Sequence, residues 1–102
     1  MKQKTISIYA DIPTVMDAAC QAIYLCGWEI KEMDITSINA SHGSSCFSWG
    51  ETITVQVQES NGASYLTIQS KSISIDWGIN NKNITQFLSA MSTLIPIAQI
   101  FS

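Results

Sequence analysis

The residues best suited to chemistry lie in one short run. His42 is preceded by Ser41 and followed by Ser44, Ser45 and Cys46. A serine or cysteine nucleophile needs a base about 3 Å away and a third group to orient that base. Neighbours along a chain seldom reach that geometry, and the sequence has no Gly-x-Ser-x-Gly elbow. The run is expected to be a solvated loop, so His42→Ala or Ser44→Ala should leave stability unchanged. No catalytic residue is assigned.

The acids offer little more. Glu29, Glu32 and Asp34 cluster near one strand, where a carboxylate pair could do acid–base work. Glu51 alternates in phase with Ile53, which points it toward the core. One histidine and scattered acids give no set of spaced metal ligands, so neither metal nor cofactor is expected.

Two Trp-Gly motifs remain. Trp49-Gly50-Glu51 precedes a long hairpin, and Asp76-Trp77-Gly78-Ile79-Asn80 follows it. Antiparallel pairing can bring them to one end of a sheet, where Trp49, Glu51, Asp76, Trp77 and Asn80 would line a small pocket. In the competing reading the tryptophans cover the end of the core, the glycines make turns or bulges, and Asp76 or Asn80 caps the last helix.

Composition excludes several functions. Charged residues make up 13% of the 102 residues, against about 25% in an ordinary globular chain. Net charge is −3 and every basic residue is a lysine. With no arginine fork for phosphates or base edges, nucleic acid is not an expected partner. No stretch of eighteen apolar residues is present, so no membrane partner is expected. The first residues lack an apolar signal core, and Cys20, Cys26 and Cys46 show no ligand spacing. Reduced thiols in a cytoplasmic protein are expected.

The elements that must position these residues follow from periodicity. Ile6 and Ile8 alternate with polar neighbours as a first strand. Asp11 and Pro13 open a helix whose stripe is Val15, Ala19, Ala22, Ile23 and Cys26, and Gly27 ends it. Residues 28–33 read as an edge strand, and Ile38 and Ala40 as a short third one. Ile53, Val55 and Val57 face inward on a strand over 52–58. Ser60-Asn61-Gly62 turns the chain into a partner strand over 65–74, with Leu66 and Ile68 inward. A second helix from about Asn81 carries Ile84, Phe87, Leu88, Met91, Leu94 and Ile95, and ends at Pro96. The expected fold is a single α+β domain over 1–102. It has five antiparallel strands in the order β-α-β-β-β-β-α, with both helices on one sheet face.

Ser48-Trp49-Gly50-Glu51, with Asp76-Trp77-Gly78-Ile79-Asn80 and Asn83, resembles the signature of a family of small bacterial domains. The resemblance covers most of the chain. It implies a β-α-β4-α arrangement similar to the TATA-binding-protein-like fold, and no activity. Ile79-Asn80-Asn81 stands where that pattern would carry more basic residues, which weakens the case for an anion site.

Two surfaces could meet a partner. The outward strand positions Thr52, Thr54, Gln56, Thr67, Gln69 and Lys71 would make a flat, weakly charged patch suited to a second copy of itself. The apolar tail at Ile97, Ile100 and Phe101 either folds back over the core or docks on a partner. The leading expectation is a non-enzymatic binding or assembly domain, homo-oligomeric through one of these surfaces. The alternative is a small-molecule binder or enzyme using the Trp49–Trp77 pocket.

Overall fold

The computed structural model describes residues 2–43, 50–72 and 78–101. Its elements are β1 (Lys2–Ile8), α1 (Ile12–Leu25), β2 (Glu29–Met33), β3 (Ser37–His42), β4 (Glu51–Ser60), β5 (Ala63–Ser72), α2 (Ile79–Leu94) and β6 (Gln99–Phe101). The strands form one sheet in the order β2-β3-β4-β5-β1-β6, and every neighbouring pair is antiparallel.

The local signals act as expected at several points. Asp11 caps α1 by accepting a 3.0 Å hydrogen bond from the Thr14 amide, with Pro13 in the first turn. Hydrogen bonding from the Thr14 hydroxyl, and then from its amide, holds the Asp11 carboxyl below its ordinary pKa. Asn61 and Gly62 both take positive φ, 52° and 80°, and join Ser60 directly to Ala63. A two-residue turn of this kind matches the twist of its strands, so β4 and β5 pair in register along their full length.

Alternation then sorts the two sheet faces. Ile6 and Ile8, Ile53, Val55 and Val57, and Leu66 and Ile68 are buried on the inner face. They form one cluster with Val15, Ala19, Ala22 and Ile23 of α1 and Ile84, Phe87 and Met91 of α2. The two helices and the sheet's inner face therefore share one core.

Three expectations require correction. The sheet has six strands, not five, because the chain after Pro96 returns as β6 along β1. Ile6 and Ile100 stand opposite each other there, and this apolar pairing gives the tail its place. His42 ends β3 rather than opening a loop, since Ile38, Ala40 and His42 continue one inward alternation. On α2 the helix begins at Ile79, and its buried face is Asn80, Asn83, Ile84, Phe87 and Met91. Leu94 is 37% exposed and lines a groove with Cys20, Tyr24 and Leu25 of α1.

β2 is the sheet edge, as its mixed pattern predicted, and all five of its residues are exposed. Glu29 bridges Lys31 at 3.1 Å, and the β2–β3 register shifts between Ile30 and Glu32. Charge and a bulge both discourage pairing with a further strand.

Candidate functional site

Three strands turn polar on their inner face at the same end of the sheet. On β3 the inward series Ile38, Ala40 ends in His42. On β4 the series Val57, Val55, Ile53 ends in Glu51. On β5 Leu66 and Ile68 give way to Ser70 and Ser72. The register puts His42 opposite Glu51 and Glu51 opposite Ser72. A row of polar side chains thus closes the apolar layer where α2 begins above it.

α2 supplies two matching groups. Asn80 and Asn83 lie in phase with Ile84, Phe87 and Met91, and both are fully buried. A buried amide must find partners for its donors and acceptor. The Asn83 carbonyl accepts from His42 Nδ1 at 2.9 Å. Its amide nitrogen donates to Glu51 Oε1 at 3.0 Å and to Ser70 Oγ at 3.2 Å. Ser70 donates to Asn80 Oδ1 at 2.7 Å, and Asn80 Nδ2 donates to Ser72 Oγ at 3.1 Å. The bonds run in one consistent direction from the imidazole to β5.

His42 Nδ1 also lies 3.1 Å from Glu51 Oε1. Both nearest partners of that nitrogen are oxygens, so Nδ1 carries the hydrogen. In the neutral ring Nε2 then keeps its lone pair. The Glu51 side chain is only 9% exposed and the His42 side chain 34%. The arrangement can hold one imidazole tautomer against a nearly buried carboxylate. By itself it provides no nucleophile.

Gly50 is the backbone condition for this pairing. Its φ is +76°, and a Cβ built there would lie 1.9 Å from the Gly43 carbonyl oxygen. Only glycine lets the chain enter β4 pressed against the end of β3, which sets Glu51 beside His42.

Trp28 covers the neighbouring flank. It is 5% exposed and stacks on Phe87 with centroids 6.4 Å apart and planes 9° apart. Its ring also lies 5.6 Å from the His42 ring. Its indole N–H is buried and has no hydrogen-bond acceptor among the described residues.

The structure thus brings together two of the five expected pocket residues. Glu51 and Asn80 belong to one network, joined through Asn83 and Ser70, and Asn80 lies inside α2 rather than capping it. Gly78 is the N-cap, with no side-chain capping bond. Trp49, Asp76 and Trp77 lie outside the described residues, as do Ser44, Ser45 and Cys46. Among the described residues no group of three or more His, Cys, Asp or Glu side chains could hold a metal ion. Glu29, Glu32 and Asp34 do not join the network. His42, expected to be solvated, is tied to both Glu51 and Asn83, so its removal is expected to cost stability.

Sequence reading missed Asn83, Ser70, Ser72 and Trp28 as parts of this site. The signal was available for the first three: each is a polar residue in phase with a buried apolar series.

The outward residues form a second assembly. The six expected positions fall into three directly opposed pairs, Thr52 with Lys71, Thr54 with Gln69 and Gln56 with Thr67. Further bonds tie this face across strands. Thr5 and Thr67 hydroxyls are 2.8 Å apart, Gln69 donates to Gln3 at 2.9 Å, and Thr54 donates to Asn39 at 3.1 Å. Lys71 is the only charged side chain at the outward positions of β1, β3, β4 and β5.

The sequence matches no protein-family model and no curated protein. No described helix is long and apolar enough to cross a membrane.

Proposed function

We propose that the chain is a small, non-enzymatic, cytoplasmic assembly domain that binds copies of itself through the outer face of its sheet. The observation that carries this reading is that Lys71 is the only charged side chain at the outward positions of β1, β3, β4 and β5, with Glu29 and Glu32 of the edge strand β2 lying to one side of that patch. Four neighbouring strands present hydroxyl and amide side chains already bonded to one another, so little side-chain freedom remains to be lost on contact. A flat, self-complementary face suits a two-fold interface, and one lysine offers little repulsion between copies.

Light scattering over a concentration series tests it. A dimer or larger species is expected, and Thr54→Glu with Thr67→Glu should return it to monomer without changing the far-ultraviolet spectrum. A wild-type monomer at every concentration would overturn the reading.

The buried indole N–H of Trp28 favours one second reading, a small-molecule site beside Glu51 and Asn80. A ligand acceptor there would satisfy the orphan donor. The meeting of Glu51 with Asn80 and Asn83 supports treating the two motifs of the resembled bacterial family as one unit. A thermal-shift screen of polar metabolites checks it: a bound compound should quench tryptophan fluorescence and lose its effect in Glu51→Gln. A screen with no such compound leaves the assembly reading alone.

A further inference from the structure

β6 is held on unusual terms. It is three residues long and all three are exposed. It pairs with β1 alone, through Thr5–Phe101, Ile6–Ile100 and Ser7–Gln99. Ile100 turns to the inner side, where it lines a groove with Ile97, Lys4 of β1 and Ile84 and Leu88 of α2. Phe101 turns to the outer side, its ring 6.3 Å from that of Tyr65. The strand thus grips β1 from both faces, and the β1 edge is complementary to this particular segment.

The connection to α2 is equally particular. Ile95 is already extended, with φ −153° and ψ 140°, and Pro96 follows it. Proline forbids helix continuation and biases the residue before it to extended backbone. Only residues 95–98 separate the helix from the strand, and two backbone bonds outside the ladder anchor this link: the Ile95 amide donates to the Met91 carbonyl at 3.0 Å, and the Ala98 amide to the Ser7 carbonyl at 2.8 Å.

We infer that the β1 edge is a strand-acceptor site whose occupant is exchangeable, and that a second copy of this chain fills it with its own β6. Reciprocal exchange reproduces every β1–β6 contact between copies and alters only the link at 95–98. Exchange of an identical element is a low-cost route to a dimer, and a short link invites it more than a long one. The inference rests on β6 and its link, independently of the outer sheet face.

The test uses the full chain with Ser7→Cys and Gln99→Cys, which are directly opposed, in a background where Cys20, Cys26 and Cys46 are serine. The protein is refolded over a hundredfold concentration range, oxidised, and separated without reductant. A covalent dimer whose share rises several-fold with concentration is expected, and it should persist when Thr54→Glu and Thr67→Glu are added. Intrachain crosslinking alone at every concentration overturns the inference. If neither crosslink forms, unaltered protein decides, in a concentrated sample mixing isotope-labelled and unlabelled chains. Magnetisation transfer from Ile6 of one chain to Ile100 of another supports exchange, and transfer within chains only refutes it.

Discussion

The two ends of the inner sheet face meet the helices by different means. Toward the β4–β5 turn, Val55, Val57, Leu66 and Ile68 meet the helices through apolar contact. Toward the start of α2, Glu51, Ser70, Asn80 and Asn83 meet through directed hydrogen bonds. Apolar packing tolerates changes of shape that conserve volume. A satisfied polar network is specific, because one missing partner strands the others in a medium where water cannot replace it. The first end supplies stability, and the second fixes how α2 is seated on the strands.

Truncation of the apolar packing should show the largest effect. Phe87 is fully buried and stacks on Trp28, so Phe87→Ala should cost about 3–5 kcal/mol in urea unfolding. A smaller loss would mean that the helices close over the void.

Asn83→Ala comes next, at about 2–3 kcal/mol, since Glu51, His42 and Ser70 each lose a partner. Asn83→Leu sharpens the contrast. It restores volume without hydrogen bonds, and its stability should stay close to that of Asn83→Ala. A leucine variant as stable as wild type would show that the polar end is merely filled space. Ser70→Ala should cost about 1–2 kcal/mol by breaking the link between the two asparagines. The outer face provides the control. Thr67→Val removes the bond to Thr5 where water can replace it, and its effect should stay within about 0.5 kcal/mol.

A further effect is confined to alkaline pH. Cys26 packs against the core from the end of α1, and burial pushes its thiol from 9.0 up to about 11. The folded state thus favours the neutral thiol. The resulting stabilisation is complete below pH 9 and is lost as pH rises toward 11. The melting-temperature difference between wild type and Cys26→Ser should shrink across that window.

What was legible in the sequence follows the same division. Strands β4 and β5, the Asn61-Gly62 turn, the Asp11 cap and the outward pairs were all readable, because each depends on neighbours in sequence. Glu51 was readable too, being in phase with Ile53. Asn80 was harder to place, because an asparagine beside a helix start reads first as a cap. Only the opposing ends of β3, β4 and β5 reveal it as a buried partner. β6 escaped for a related reason: three residues carry no periodicity, and their strand character comes from the β1 edge they meet.

The tight turn at Asn61-Gly62 also orders events in time. A hairpin closed by two residues forms within about microseconds, whereas β1 must find β5 across some sixty residues of chain, a slower closure. Glu51 and Ser70 are therefore set in register early. His42 comes to them with β3, and Asn83 comes with α2. The hydrogen bonds around Asn83 can close only when all four segments are in place, so they act as a late checkpoint on assembly of the native sheet.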